Sequence, residues 1–307
     1  AELDRTSDAL GSLTVGRTAY LYLRRPAGAA AQRLYERAFA GTRERLVFDP
    51  QRFARSPGAH YTIDYYAPAL DDRYVAVGVA EGGSEVEVLH VVDVASGRLL
   101  ADTIDRVPFG APTWAADGRS FYYYRTAELP PGAPQSARDT KGRVYFHRLG
   151  TDPSDDRAVF GYGYAARIPF APQDGGGLAL QPGTPWAVAI AQHGVQNEIA
   201  AWVAPLATLG RAAVPWRQIV RSGDDVTGIG LRGSTMYALS HRGASRFAIL
   251  AFDLARGDAA HARVVVPASA RVIGGFGVAR DGLYLNELDR GGSRVRSAAF
   301  TAAGVAA

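Results

Sequence analysis

Short runs of alternating apolar and polar residues recur about every fifty residues along this chain. Each repeat has a turn rich in Gly or Asp, an aromatic residue that opens an apolar strand, and then a second apolar strand. The opening aromatic residues are Tyr20, Tyr74, Phe121, Trp186, Tyr237 and Tyr284. Strand-filled repeats of this length are typical of propeller blades. The pattern therefore predicts an all-β fold, a β-propeller of four-stranded antiparallel blades with about six blades visible.

The second repeat shows the pattern most clearly. Residues 71–73 (Asp-Asp-Arg) provide turn chemistry, and the residues that follow alternate large and small side chains with the period of a strand. The glycine pair 82–83 ends that strand. We predict the four strands of this blade at 65–68, 74–79, 86–94 and 98–100.

The repeats divide the chain into a single propeller domain, residues 1–307. The expected blades are 10–53, 61–107, 111–164, 167–223, 225–270 and 271–307. Two long connectors, 129–141 and 171–185, are predicted to be exposed loops. The last repeat ends in a weak strand at 301–307, so we expect the sixth blade to lack its outer strand and the natural protein to continue. No helical period is long enough for an α/β domain within these residues.

Composition excludes several classes of function. The chain has no cysteine, which rules out disulfides, thiolate metal sites and a cysteine nucleophile. Its net charge of +4 comes from arginines interspersed with acidic residues, whereas nucleic-acid binders concentrate basic residues on one stripe. No apolar run approaches the length of a membrane span, and the N-terminus lacks a signal-peptide pattern. We therefore expect a soluble protein, cytoplasmic or periplasmic, with no nucleic-acid or membrane partner.

Catalytic and metal-binding motifs are missing from the repeats. Ser84, Ser245 and Ser293 lie in sequences close to the nucleophile elbow Gly-x-Ser-x-Gly, but each lacks the second glycine and falls in a predicted hairpin. The six histidines have no metal-ligand spacing, and His90 and His147 are predicted to pack between blades. We predict no catalytic residue, no metal ligand and no cofactor in this chain.

Paired carboxylates raise the alternative of a propeller glycosidase. The pairs are 71–72, 155–156 and 224–225, all Asp-Asp. All three fall between predicted strands, where Asp caps the backbone, so turn capping is the preferred interpretation.

Three segments resemble one known family. Residues 43–50 (Arg-Glu-Arg-Leu-Val-Phe-Asp-Pro) resemble the end of the first propeller blade in the prolyl oligopeptidase family. Residues 113–123 (Thr-Trp-Ala-Ala-Asp-Gly-Arg-Ser-Phe-Tyr-Tyr) are similar to the opening of one of its blades. The most specific segment, 144–152 (Val-Tyr-Phe-His-Arg-Leu-Gly-Thr-Asp), resembles its Tyr-x-His-x-Leu-Gly-Thr-Asp motif. The similarity extends over essentially the whole chain.

The resemblance implies a seven-bladed propeller that caps an α/β-hydrolase domain. In that family the hydrolase domain carries Ser, Asp and His and cleaves short peptides after proline, and the propeller excludes folded proteins. By position, Tyr122 and Val195 match propeller residues that line the outer apolar part of the substrate pocket, and Tyr164 is a looser match. The alternative for each residue is ordinary packing within a blade.

The functional expectation follows from this resemblance. The chain is expected to be the substrate-gating propeller of a prolyl oligopeptidase-like serine peptidase, inactive alone because the hydrolase domain is absent from it. The expected partners are short peptides and the α/β-hydrolase domain of the same polypeptide. The alternative is a free-standing propeller that binds a peptide or a protein and catalyses nothing.

Overall fold

The computed structural model describes residues 7–108, 110–302 and 304–306. Within them the chain forms twenty-four strands, β1 to β24, and no α-helix. The strands make six sheets, each of four antiparallel strands in chain order, and we call these sheets blades 1 to 6. The all-β propeller fold predicted from the repeats is confirmed.

Blades 1 to 3 belong to one compact unit, Ala1–Ile168. Blade 1 contains β1 (Ala9–Val15), β2 (Ala19–Arg25), β3 (Arg33–Ala38) and β4 (Glu44–Phe48). Blade 2 contains β5 (Tyr61–Pro68), β6 (Tyr74–Glu81), β7 (Val88–Asp93) and β8 (Arg98–Ile104). Blade 3 contains β9 (Thr113–Trp114), β10 (Ser120–Arg125), β11 (Arg143–Arg148) and β12 (Arg157–Gly161).

Blades 4 to 6 belong to a second unit, Pro169–Ala307. Blade 4 contains β13 (Asp174–Ala179), β14 (Trp186–His193), β15 (Ile199–Pro205) and β16 (Arg217–Val220). Blade 5 contains β17 (Val226–Arg232), β18 (Thr235–Ser240), β19 (Ala248–Asp253) and β20 (Arg263–Val266). Blade 6 contains β21 (Val272–Val278), β22 (Gly282–Asp289), β23 (Gly292–Thr301) and β24 (Gly304–Ala306).

Single-turn 3-10 helices punctuate the connections between strands. They lie at Pro50–Phe53, Gln135–Ala137, Pro153–Asp155, Leu206–Thr208, Ser222–Asp224 and Ala259–His261. Asp49 starts the first of them by accepting a hydrogen bond from the backbone amide of Gln51, a common way to satisfy the free amides of a first turn.

The core of the first unit consists of apolar layers between neighbouring blades. Strand β6 is buried along almost its whole length because its two faces enter different layers. Val75 and Val77 pack with Leu21 of blade 1, while Ala76 packs with Phe121 of blade 3. The two-residue period of the strand thus divides one run of apolar residues between two layers.

The second unit repeats this arrangement around β18. Met236 and Ala238 belong to the layer shared with blade 4, whereas Tyr237 and Leu239 belong to the layer shared with blade 6. A central strand that is apolar on both faces is therefore the common element of both units.

The loop predicted at 171–185 is wrong over part of its length. Residues Asp174–Ala179 form β13, the first strand of blade 4, and its glycines pair in register with β14. Glycine has no side chain to contribute to apolar periodicity, but its backbone can still form an antiparallel ladder. The sequence pattern consequently missed this strand.

The expectation that the sixth blade lacks its outer strand is also wrong. Residues Gly304–Ala306 form β24, which pairs with β23 through Phe300 and Val305. This short alanine-rich segment has little strand propensity of its own. Its pairing depends on the long neighbouring strand, which local sequence does not reveal.

One glycine in blade 2 is required by close packing. Tyr65 on β5 lies opposite Gly78 on β6, and its hydroxyl donates a hydrogen bond to the carbonyl of Val107 at 2.8 Å. A Cβ atom on Gly78 would overlap the Tyr65 ring. The ring therefore occupies the space that a side chain at position 78 would need.

We expect Gly78→Val to lower the free energy of unfolding by about 1–3 kcal/mol, because the added side chain displaces a packed ring. Gly177→Val is the matched control, since a Cβ atom at that strand glycine has no neighbour within 4 Å. Chemical denaturation of both variants measures the difference. Equal destabilisation of the two would contradict the packing role of Gly78.

Candidate functional site

Tyr122 lies in the middle of β10, directly opposite Phe146 on β11. The two ring centroids are 5.2 Å apart, and Tyr122 is 8% exposed. Burial raises the pKa of its hydroxyl above the ordinary value. Most of this ring is consequently packed within blade 3.

Tyr164 and Val195 lie outside the strands. Tyr164 follows β12 in a turn, where its amide donates to the carbonyl of Gly161 at 3.1 Å, and its side chain is half-buried. Val195 lies in the turn between β14 and β15 and is 100% exposed. Tyr122 and Tyr164 belong to the first unit and Val195 to the second. The assignment of these three residues to a substrate pocket stays a prediction.

The most distinctive polar group in the first unit is a buried cluster around His147. His147 is 0% exposed, and its Nε2 atom lies 3.0 Å from an oxygen of Asp102. Its Nδ1 atom lies 2.9 Å from an oxygen of Asp156, which also accepts a hydrogen bond from the Tyr123 hydroxyl at 2.7 Å. The backbone amide of Gly150 donates to Asp102 at 2.6 Å. We call His147, Asp102, Asp156 and Tyr123 the buried charge cluster.

The geometry of this cluster determines its protonation. Both ring nitrogens of His147 face carboxylates, so the arrangement requires an N–H at each of them. Burial by itself lowers the pKa of His147, but the hydrogen bonds and charges of Asp102 and Asp156 outweigh it and raise that pKa to about 9. Burial raises the pKa of the Tyr123 hydroxyl as well. At neutral pH the cluster therefore holds an imidazolium between two carboxylates.

The position of the cluster shows what it can do. Asp102 lies on β8 of blade 2, while His147 and Tyr123 lie on β11 and β10 of blade 3. A general base needs a free ring nitrogen within reach of a substrate proton, and both nitrogens of His147 are already engaged in a solvent-free site. The cluster therefore joins blades 2 and 3 through hydrogen bonds between charged side chains.

The prediction that His147 packs between blades is confirmed, since its buried ring contacts Asp102 of blade 2. The interpretation that Asp156 caps a turn is wrong, because its carboxylate binds His147 and Tyr123. Asp152 performs the capping in this segment, where it accepts a hydrogen bond from the amide of Ser154 at 2.8 Å. Asp102 gave no signal in the sequence, since it is a single acid within a strand.

The other acidic pairs act largely as predicted. Asp224 accepts a hydrogen bond from the backbone amide of Arg221 at 2.8 Å, and Asp71 accepts one from the amide of Arg73 at 3.1 Å. Asp72 instead reaches blade 1, where the backbone amides of Arg17 and Thr18 donate to it at 2.9 and 2.7 Å. These carboxylates therefore hold turns and neighbouring blades.

The described residues contain neither a metal-binding cluster nor a membrane-spanning helix. No group of three or more His, Cys, Asp or Glu side chains among residues 7–108, 110–302 and 304–306 is arranged to hold a metal ion. In the same part of the chain no helix has the length and apolar character to cross a membrane.

Cavities are present on the first unit. One of about 490 Å³ lies on blade 1, beside Leu10, Tyr20, Tyr22 and Arg37. Another, of about 400 Å³, lies where the connector after blade 1 meets blade 2. Both volumes are within the range of small-ligand sites.

Comparison with known proteins places the whole chain in one family. The family model described as "Prolyl oligopeptidase, N-terminal beta-propeller domain" matches residues 5–306. The prolyl endopeptidase of Elizabethkingia meningoseptica is 27% identical over 144 residues, which cover 46% of this chain and 20% of that protein. Prolyl oligopeptidase A of Amanita bisporigera is 24% identical over 233 residues, which cover 67% of this chain and 28% of that protein.

Solved structures share the fold. A structure from a study of two prolyl endopeptidases matches with a TM-score of 0.77 and 23% identity, over 98% of this chain and 42% of that one. Apo prolyl oligopeptidase B of Galerina marginata matches with a TM-score of 0.79 and 16% identity, over 99% of this chain and 44% of that one. The chain thus spans less than half the length of the relatives and structures that it matches.

We expect His147→Gln to lower the free energy of unfolding by about 3–5 kcal/mol, because it leaves two buried carboxylates without their cation. His261→Gln is the matched control, since the His261 side chain is 83% exposed beside Asp258. Chemical denaturation at neutral pH measures both. Tyr123→Phe removes only one donor and should cost about 1–3 kcal/mol, which keeps the test informative if His147→Gln does not fold.

The stabilisation by the cluster should depend on pH. The pKa of His147 is raised by folding, so its contribution is complete below about pH 6.5 and is lost as the pH rises through about 9. The shift corresponds to about 3 kcal/mol. Chemical denaturation of the unsubstituted protein and of His147→Gln should be measured at pH 6 and at pH 9.5. The difference in the free energy of unfolding between the two proteins should be smaller at pH 9.5 than at pH 6. A constant difference would contradict a protonated His147.

Proposed function

Because the chain belongs to the prolyl oligopeptidase N-terminal β-propeller family, we propose that it is the substrate-gating propeller of a serine peptidase that cleaves short peptides after proline. The match of the family model to residues 5–306 is the observation that carries this proposal. Residues 1–307 then form the propeller domain. The α/β-hydrolase domain belongs to a further part of the same polypeptide, in keeping with the greater length of the relatives.

In this proposal the propeller selects substrates by size and takes no part in bond cleavage. A Ser-His-Asp triad outside these residues performs the acyl transfer, so the chain alone is inactive. Selection by size requires blades that do not separate easily. Within the first unit, shared apolar layers and the buried charge cluster join blades 2 and 3, and this rigidity supports the proposal.

The proposed roles of individual residues are those of a pocket wall. Tyr122 and Val195 contribute apolar surface to the outer part of the substrate pocket, and Tyr164 borders it. The full exposure of Val195 supports its role, because its side chain is free to contact a ligand. Tyr122 is almost fully buried, so it contributes less surface to the pocket than Val195 does.

We expect an immunoblot of the source organism, with an antibody raised to this chain, to detect a protein more than twice the 32.7 kDa mass of the chain. The full protein should release the reporter group from a short Gly-Pro substrate and leave a folded protein intact. The isolated chain should release no reporter group. A natural product near the mass of the chain would instead support a free-standing binding propeller.

In the full protein, we expect Val195→Asp to raise KM for a short apolar peptide about 10-fold with little change in kcat. Such a loss is typical when one apolar contact in a binding pocket is removed. Val264→Asp is the matched control, because Val264 is another exposed valine, 53% accessible, in the outer strand of blade 5. Equal KM values for the two variants would contradict the assignment of Val195 to the substrate pocket.

A further inference from the structure

A cleft in the first unit has the chemistry of a ligand site separate from Tyr122 and Tyr164. We call it the connector cleft, and its volume is about 400 Å³. It lies where residues 50–61, which connect blade 1 to blade 2, pass over β6 and β7. We call its less exposed lining residues the base, namely Phe53, Tyr61, His90 and two valines, and its exposed lining residues Arg55, Glu81 and Val86 the opening.

The base of the connector cleft is aromatic. The rings of Phe53 and His90 are stacked with centroids 4.7 Å apart, and the Tyr61 ring lies 5.8 Å from Phe53. Burial and the nearby Arg52 charge lower the pKa of His90 to about 4, so its imidazole is neutral at physiological pH. The base is therefore suited to an uncharged apolar group.

The opening of the connector cleft carries one available cation. Arg55 is exposed and forms no ion pair with any residue of the described ranges. Glu81 is paired with Tyr61 in the ladder of β5 and β6, and its side chain is exposed. Val86, another lining residue, is 42% exposed. An apolar base beneath a free guanidinium fits a ligand with an apolar body and a single carboxylate.

We propose that the connector cleft binds the C-terminal residue of a short peptide, with its apolar side chain against Phe53 and His90 and its carboxylate at Arg55. The presence of Glu81 disfavours ligands with two or more negative charges, such as phosphates, through repulsion at short range. The carboxylate oxygens of Glu81 are acceptors suited to a peptide N–H. The inference rests on the proposed function, because a peptidase propeller meets short peptides as substrates and as products.

The test uses the 307-residue chain itself and measures binding, so it does not depend on catalysis. The probe is an N-terminally fluorescein-labelled Ala-Ala-Pro-Phe, compared with the same peptide amidated at its C-terminus, by fluorescence anisotropy. We expect the free acid to bind at least 10-fold more tightly than the amide, because only the acid can pair with Arg55.

Two variants assign the binding to the connector cleft. Arg55→Gln should abolish the preference for the acid, and Val86→Trp should weaken both peptides by filling the opening. Arg98→Gln, at an exposed arginine that begins β8 of the same blade, is the matched control and should bind like the unsubstituted chain.

Each other outcome overturns the inference. These outcomes are equal affinity for acid and amide, an unchanged preference in Arg55→Gln, or no binding of either peptide. None of them bears on the peptidase proposal, which the Gly-Pro reporter assay of the full protein decides separately. Conversely, if the full protein has no peptidase activity, the peptide affinity measured for the 307-residue chain still stands.

Discussion

The apolar layers between neighbouring blades are the interaction on which each unit depends. A single four-stranded sheet has two apolar faces and cannot cover them by itself. Strand β6 covers one face against blade 1 and the other against blade 3, and β18 does the same between blades 4 and 6. Strands β6 and β18 are consequently buried along almost their whole length. The same requirement leaves little freedom at positions such as Gly78, where a ring from the neighbouring strand fills the layer.

The buried charge cluster adds a polar joint to one of these layers. Burying a histidine with two carboxylates carries a large desolvation cost, which is offset only when every partner is in place. The Tyr123 hydroxyl and the Gly150 amide supply the remaining donors. Because the cluster connects β8 with β10 and β11, it fixes blade 3 against blade 2 more specifically than apolar contacts alone can. Tyr122 precedes Tyr123 on β10, and its side chain lies on the opposite face of that strand. The cluster therefore also positions a residue that we assign to the substrate pocket.

The proposed function and the connector cleft concern different properties of the same scaffold. Gating requires that the blades stay together, and the shared layers provide that property. Peptide recognition requires exposed chemistry on top of those layers. Arg55 and Val86 lie in a connector and a hairpin, where side chains are not needed for the core. Beneath them His90, on β7, stacks with Phe53 of the connector, so the exposed groups lie next to an aromatic surface.

The sequence by itself determined the fold class, the number of repeats and the family. Two-residue periodicity and turn residues are local signals, and they suffice to place strands such as β6 and β10. The same local signals missed β13, whose glycines have no side chains, and β24, whose pairing depends on β23. Only the tertiary structure brought Asp102, His147 and Asp156 together, since they are separated by 45 and 9 residues in the chain. The same holds for the connector cleft, because its walls come from a connector and from strands whose approach is set by the packing of blade 1 on blade 2.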